Sequence, residues 1–92
     1  MKKSIIPNGD SNECYFCLSP ATDRHHCLHG SYRKLADEYG LTVNLCHSCH
    51  MALHDKGTGD KELQKLAQIT WENVYGDRME FIRVFGKSFI LD

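Results

Sequence analysis

A strong charge of either sign is missing from this sequence, because 11 lysines and arginines nearly balance 12 aspartates and glutamates. A protein that coats nucleic acid would be more positive than the formal net charge of −1 found here. Also missing are an apolar run long enough to cross a bilayer and an N-terminal stretch that resembles a secretory signal. We therefore expect a cytoplasmic protein without a membrane partner, whose contacts with DNA would use a local patch or a bound cation.

A complete set of disulfide bonds is excluded as well, because the cysteine count is five and disulfides are rare in a reducing compartment. Four cysteines instead form two Cys-x-x-Cys pairs, Cys14/Cys17 and Cys46/Cys49. Each pair places two thiolates on one side of a tight turn, and two such turns complete a tetrahedron around zinc. The sequence thus predicts a closed, structural zinc site, and it leaves Cys27 as a buried apolar residue.

A large hydrophobic core is excluded, because 92 residues are too few to bury one. We therefore expect one small domain that gains stability from a metal or a partner. No internal repeat or low-complexity tract divides the chain. A flexible N-terminal segment is expected over residues 1–13 and a single α+β domain over 14–92. The cysteine pairs and most histidines fall within 14–56, and C-terminal helices are expected within 60–86.

Local patterns predict the order of the elements. Strands are expected over 22–28 and 41–45, separated by a helix that begins at an N-cap Ser31 and ends at Gly40. A short helix follows the second cysteine pair and ends at Gly57. Apolar residues at helical spacing then predict two further helices. The expected N-caps of these two helices are Asp60 and Asp77.

The histidines group around the same segments. His50 and His54 are four residues apart on the short helix, so their side chains project from one face and can chelate one ion. His25 and His26 lie on the first strand, which returns to the same place because the cysteine pairs meet at zinc. Strand neighbours point to opposite faces, so both reach one site only where the strand ends or distorts. We predict a second metal site with open positions, as a catalytic ion requires.

Three motifs carry a family resemblance: CYFC at 14–17, HH at 25–26 and LCHSCHMALH at 45–54. In this order they resemble the HNH endonucleases of the ββα-metal (His-Me finger) group, and most of all its small zinc-knuckled members from phage and prophage genomes. The resemblance covers residues 14–56. It implies a two-stranded hairpin and a helix that grip one divalent cation, with the knuckles holding the base of the hairpin.

Carried over by position, the resemblance implies that His26 is the general base. It also implies a catalytic cation, Mg²⁺, Mn²⁺, Ni²⁺ or Zn²⁺, bound by His25, His50 and His54. Which of the two adjacent histidines is the base and which is the ligand stays open. The implied reaction is phosphodiester hydrolysis, with 5′-phosphate and 3′-hydroxyl products.

One position departs from the family. Its middle asparagine, nine residues before His50, falls at Leu41 in this sequence. Asn44 lies three residues later. Because that asparagine braces the loop behind the base in the family, the bracing must come from elsewhere in this chain.

The remaining polar residues near the motifs are weaker candidates. Arg24, Arg33 and Lys34 flank the expected site and could bind phosphates, with solvated surface as the alternative. Arg33 is favoured, because the inserted loop faces the cleft in the family. His29 and His47 fit no ligand pattern and are expected at the surface.

The leading hypothesis is a metal-dependent endonuclease that hydrolyses phosphodiester bonds in DNA, by nicking or double-strand cleavage. The alternative from another class is a non-catalytic, zinc-ribbon-like module that binds nucleic acid or a protein. A third reading assigns His50 or His54 to the zinc, and it is weaker because four cysteines already complete a tetrahedron. Because the net charge is near zero, a homodimer or a protein partner would supply additional affinity for DNA.

Overall fold

Two short strands pair as an antiparallel sheet in the computed structural model, which describes residues 3–90. β1 spans Asp23–His26 and β2 spans Thr42–Leu45. The paired residues are Asp23 with Leu45, Arg24 with Asn44, His25 with Val43 and His26 with Thr42. β1 is shorter than the strand predicted over 22–28, so the second of the adjacent histidines lies at its end.

The segment between the strands forms a 3₁₀ turn at Gly30–Tyr32 and then α1 over Arg33–Tyr39. The predicted N-cap at Ser31 is wrong, because this residue lies inside the 3₁₀ turn and no side chain caps α1. The predicted end at Gly40 is confirmed by its left-handed φ of 72°. A side chain at this position would collide with the backbone of the N-terminal segment, so glycine is required there.

α2 spans His47–Lys56 and begins within the second cysteine pair. Cys46 is its N-cap, and the Sγ atom accepts a hydrogen bond from the Cys49 N–H at 3.4 Å. The thiol thus satisfies one of the free N–H groups in the first turn. The helix ends at Gly57 with a φ of 72°, as predicted, and it packs against β1.

α3 spans Asp60–Val74 and α4 spans Arg78–Phe85, within the region predicted to be helical. The predicted cap at Asp77 is confirmed, because its Oδ1 accepts a backbone hydrogen bond from the first turn of α4 at 2.9 Å. The predicted cap at Asp60 is wrong. Asp60 is the first helical residue, and Gly59 precedes it as the N-cap with a φ of 81°.

The C-terminal helices supply an aromatic cluster to the core. The rings of Phe81 and Phe85 stack with their centroids 4.2 Å apart, and Trp71 meets both edge-on. The hairpin and the insert supply fully buried aliphatic residues, namely Leu28, Ala36, Leu41, Val43 and Leu45. Among residues 3–90, none of the helices is long and apolar enough to cross a membrane.

The N-terminal segment, predicted to be flexible over 1–13, packs against the hairpin through backbone hydrogen bonds. The first two residues lie outside the described part of the chain. Ile5 donates its N–H to the Gly40 carbonyl at 2.8 Å, and Asn44 donates its N–H to the Gly9 carbonyl at 2.8 Å. These backbone bonds hold a segment that has few apolar residues of its own.

Candidate metal centres

Four cysteine sulfurs form one cluster where β2 ends. The Sγ atoms lie within 4.8 Å of one another and belong to Cys14, Cys17, Cys46 and Cys49. The sulfurs of Cys17 and Cys46 are 3.6 Å apart. On a zinc tetrahedron with Zn–S bonds of about 2.3 Å, sulfurs lie about 3.8 Å from one another. The cluster can therefore hold a metal ion such as zinc, as the two Cys-x-x-Cys pairs predict.

Local backbone structure brings the first pair to the second. Cys14 donates its N–H to the Ser19 carbonyl at 2.6 Å, and Leu18 donates its N–H to the Cys14 carbonyl at 3.0 Å. Leu18 adopts a left-handed φ of 67°, which is uncommon outside glycine and lets the chain fold back. Tyr15 donates its N–H to the Asn44 carbonyl at 2.9 Å, which ties this turn to β2.

The cysteines differ in their affinity for protons. The Ser19 side chain bonds Cys17 and lowers the pKa of that thiol to about 6. Desolvation, followed by bonds with the other thiols, raises the pKa of Cys49 to about 12. Adjacent thiolates repel one another, so all four ionise together only when a cation neutralises them. Cys27 lies outside the cluster and is fully buried, which confirms its predicted role and raises its pKa to about 12.

Three imidazoles converge where β1 faces α2. The candidate ligand atoms of His25, His50 and His54 lie within 4.8 Å of one another. The Nε2 atoms of His50 and His54 are 3.0 Å apart, because the two residues are one helical turn apart on α2. Two nitrogens that share a cation, with bonds of about 2.0–2.1 Å, lie about 3 Å from each other. The spacing therefore suits a shared cation.

His25 is the most buried of these three residues. It is 2% exposed, and its Nε2 has no hydrogen-bond partner among the described residues. Desolvation, followed by repulsion from His29 and the other histidines, lowers the pKa of His25 to about 4, so the ring is neutral at neutral pH. A buried polar atom without a partner costs roughly 1–3 kcal/mol. A cation bound to this ring would remove that cost, so the residues fit a metal ion.

Asp23 is a residue of this site that the sequence interpretation missed. Its Oδ2 accepts a hydrogen bond from Nδ1 of His50 at 2.8 Å, which leaves Nε2 of that ring directed at His54. A signal was present in the sequence. Asp23 is two residues before His25 on the same strand, so both side chains lie on one face.

His26 lies outside the three-histidine group. It is the last residue of β1, and alternation along the strand turns its side chain to the face opposite His25. Its Nε2 is 3.2 Å from Oδ1 of Asp37 in α1. Both adjacent histidines nevertheless line one cleft of about 300 Å³. From the sequence, we expected both histidines to reach one site only where the strand ends or distorts, and β1 does end at His26.

We expected His29 at the surface and outside any ligand pattern. Its side chain is 37% exposed, but it also belongs to a candidate ligand group. Its Nε2 is 2.6 Å from Oδ1 of Asp60, and its ring centroid is 5.0 Å from that of His25. His25, His29 and Asp60 form a further group whose candidate ligand atoms lie within 4.8 Å of one another. The expectation is confirmed for His47, whose side chain is 74% exposed.

The basic candidates surround the histidines. Arg24 and Arg33 line the cleft, and Lys34 lines an adjoining groove together with Arg33. Arg24 also forms an ion pair with Asp10 at 3.2 Å. Arg33 and Lys34 are exposed at the start of α1, which makes them the more accessible pair for a phosphate.

No protein-family model matches this chain, and comparisons with curated proteins and with solved structures found no similar protein. The geometry of the two clusters is therefore the basis for a functional proposal. The cysteine cluster offers four sulfurs, enough to complete a tetrahedral metal site, whereas the histidine cluster borders a cleft.

Proposed function

We propose that the protein is a metal-dependent endonuclease of the HNH, ββα-metal type, which hydrolyses phosphodiester bonds in DNA. The observation that carries the proposal is the buried imidazole of His25, whose Nε2 has no hydrogen-bond partner among the described residues, beside the His50–His54 pair at the edge of a cleft. Three imidazoles around one point suit a divalent cation, and the cleft leaves room for a substrate. An antiparallel hairpin and the helix that follows it supply all three ligands.

The donor set bears on the identity of the catalytic cation, which His25, His50 and His54 would hold. Imidazole nitrogens favour Zn²⁺ and Ni²⁺, whereas Mg²⁺ prefers oxygen ligands. A cation bound here supplies stabilisation of negative charge on the phosphate and on the departing 3′ oxygen. We therefore expect Ni²⁺ or Zn²⁺ to support activity better than Mg²⁺ or Mn²⁺, which both prefer oxygen ligands.

His26 is the proposed general base. Its ring lines the cleft but lies outside the three-histidine ligand group, so its lone pair is available to water. In the reaction His26 accepts a proton from water, the water oxygen bonds to phosphorus, the bond from phosphorus to the 3′ oxygen breaks, and the released 3′ oxygen takes a proton from solvent water. The products carry 5′-phosphate and 3′-hydroxyl ends. A positioned base contributes roughly 10²–10⁴-fold to such a rate.

Arg24, Arg33 and Lys34 are the proposed phosphate contacts. Arg33 lines both the cleft and the adjoining groove, so a strand laid along α1 would keep a phosphate close to the histidines. Contacts of this kind position the backbone without reading the sequence. Because the net charge is only −1, affinity for DNA would be modest, and a second copy or a protein partner would add to it.

The cysteine cluster is the proposed structural zinc site. Four thiolates leave no open position on a tetrahedral ion, so this site takes no part in the chemistry. Cys46 is a candidate ligand and also the N-cap of α2. Zinc bound there would fix the start of the helix that carries His50 and His54.

Cleavage of supercoiled plasmid tests the proposed function. Zinc-loaded protein with added Ni²⁺, Mn²⁺ or Mg²⁺ is expected to nick or linearise the plasmid, and His54→Ala to abolish cleavage without loss of zinc. His47→Ala is the matched control, because it removes an exposed histidine from the same helix. A non-catalytic module would bind DNA or a protein and cut nothing with any of these cations, which would refute the nuclease proposal.

The role of His26 is tested in the same assay. His26→Ala is expected to lower the cleavage rate roughly 10²–10⁴-fold, the contribution of a positioned base, while the protein keeps its zinc and its binding of the second cation. Release of zinc by this variant, or cleavage at the wild-type rate, would show that the assignment of the base is wrong.

A further inference from the structure

We propose that Asp37 is the positioning residue for His26. The inference rests on the proposed nuclease function, in which His26 is the general base. The direct evidence for the positioning role is the distance of 3.2 Å between Nε2 of His26 and Oδ1 of Asp37. Within residues 3–90, that carboxylate is the one hydrogen-bond partner of the ring.

Leu41 and Asn44, at and near the expected asparagine position, do not position the ring of His26. Leu41 is fully buried in the apolar core. The side chain of Asn44 donates to the Ser11 carbonyl at 3.0 Å, so its amide is engaged with the N-terminal segment. The ring of His26 is therefore held from α1, in the insert between the strands, rather than from β2.

The backbone fixes Asp37 relative to the base. Ala36, the residue before it, is fully buried. Leu41 donates its N–H to the Ala36 carbonyl at 2.8 Å, and Cys27 donates its N–H to the Leu41 carbonyl at 3.0 Å. Ala36 of α1 and Cys27, the residue after His26, are thus both bonded to Leu41. A short aspartate side chain on this support loses little conformational entropy when it contacts the ring.

The contact selects the tautomer of His26. A carboxylate only accepts hydrogen bonds, so Nε2 of the ring must carry the hydrogen. The neutral ring then holds its lone pair on Nδ1, and that nitrogen is the one that can take a proton from water. An aspartate that holds a catalytic imidazole in one tautomer and one orientation is a known device of hydrolases.

Other charges around this pair come from α1. Arg33 and Lys34 line the groove that Asp37 and His26 also line. These cations offset the repulsion between the Asp37 carboxylate and an approaching phosphate. The Asp37 side chain is 45% exposed, so its contact with His26 adds little to stability. Loss of Asp37 should therefore change the reaction rate far more than the fold.

Steady-state kinetics on the full, zinc-loaded chain with Ni²⁺ or Mn²⁺ test the inference. Asp37→Ala is expected to lower kcat roughly 10- to 100-fold, the scale of losing an outer hydrogen-bond partner, with little change in KM. Asp37→Asn keeps an acceptor oxygen and should recover part of the loss. Glu38→Ala is the matched control, because it removes an exposed carboxylate at the next position of α1 and should leave kcat unchanged.

Two further measurements distinguish positioning from a purely structural role. In a double-mutant cycle, Asp37→Ala should have little effect on the residual rate of His26→Ala, because both changes remove one function. An additive effect would overturn the inference. Nitrogen-15 NMR should find His26 as the Nε2–H tautomer in the wild type and as a mixture in Asp37→Ala. An Nδ1–H ring in the wild type would also overturn it.

The two proposals fail in different ways. If the wild type cuts DNA but Asp37→Ala and Glu38→Ala have the same kcat, the positioning role is wrong and the nuclease proposal stands. If the wild type cuts no DNA with any of the cations, both are wrong. If the wild type cuts DNA and only Asp37→Ala loses kcat at constant KM, both are supported.

Discussion

The bond between Nδ1 of His50 and Oδ2 of Asp23, 2.8 Å long, joins the first residue of β1 to the middle of α2. The same bond is the main cause that lowers the pKa of Asp23. A carboxylate on the outer nitrogen of a metal-binding imidazole fixes the tautomer of the ring and raises its basicity. Asp23 is therefore expected to control how well His50 binds a cation.

Asp23→Ala should weaken binding of Ni²⁺ to the histidine site roughly 10- to 100-fold, because the ring of His50 loses its fixed orientation. Titration calorimetry on the zinc-loaded protein would measure this loss. Asp55→Ala is the control, since it removes an exposed carboxylate from the same helix. Equal affinities in the two variants would contradict the role of Asp23.

The stability of the protein without a cation at the histidine site should depend on pH through His25. The pKa of this ring is lowered from 6.5 to about 4 by folding, so the unfolded chain binds more protons between these values. The free energy of unfolding should then rise as pH increases through this window and level off above it. Urea unfolding midpoints of the zinc-loaded protein at several pH values would measure the slope.

His25→Phe should flatten that slope, because it removes the titrating group and keeps an apolar ring in the buried site. His47→Phe should not change it, since His47 is exposed. The slopes are compared between variants, so contributions from the cysteine cluster cancel. An unchanged slope in His25→Phe would refute this origin of the pH dependence.

Cys46→Ser should lose zinc and unfold. Zinc binding contributes roughly 10–16 kcal/mol in small zinc-dependent domains, more than a chain of this size retains as net stability. The helical signal in circular dichroism and the zinc content should fall together. Cys27→Ala is the control: it removes a buried thiol outside the cluster, so it should keep the zinc at a cost of about 1 kcal/mol.

His54→Ala should weaken cation binding far more than His29→Ala. The proposed cation lies among His25, His50 and His54, whereas His29 is bonded to Asp60 at 2.6 Å. The pair with Asp60 is partly exposed, so its loss should cost at most about 1 kcal/mol of stability. Native mass spectrometry with added Ni²⁺ would count the ions. A larger loss of bound Ni²⁺ in His29→Ala would indicate that the cation binds the group of His25, His29 and Asp60 instead.

Arg33→Ala should weaken DNA binding about equally on every sequence and reduce the salt slope of the affinity by about 1, as expected for one phosphate contact. Fluorescence anisotropy with labelled duplexes over a range of salt concentrations would measure both quantities. Arg83→Ala is the control, because Arg83 is exposed on α4, away from the cleft. If the two variants have the same salt slope, Arg33 does not bind a phosphate.

Both ligand clusters could be predicted from the sequence because their geometry is mostly local. A Cys-x-x-Cys turn brings two sulfurs together without help from the rest of the fold, and His50 and His54 meet because an α-helix repeats every 3.6 residues. His25 is expected beside His50 and His54 if the two cysteine pairs are assumed to bind the same metal ion. The helix ends at Gly40 and Gly57 were predictable for a similar reason, since a left-handed residue favours glycine.

The contacts that the sequence did not predict are tertiary. The bond between His29 and Asp60 spans 31 positions, and it exists because the start of α3 is placed beside the end of β1. The bond between His26 and Asp37 depends on how α1 packs on the hairpin. The local sequence around Asp60 suggested a helix cap, and the local sequence around Asp37 suggested no role. Neither stretch includes the histidine that the aspartate contacts.

The sulfur of Cys46 serves the cysteine cluster and caps α2 with the same atom. On the proposed assignments, this shared atom predicts an order of metal loading, because the candidate ligands on α2 are held in register only once the helix has a fixed start. Zinc should enter first, and the histidine site should then exchange its cation freely while the fold persists. When zinc is scarce, the amount of protein that can bind the second cation would follow the zinc supply, however abundant that cation is.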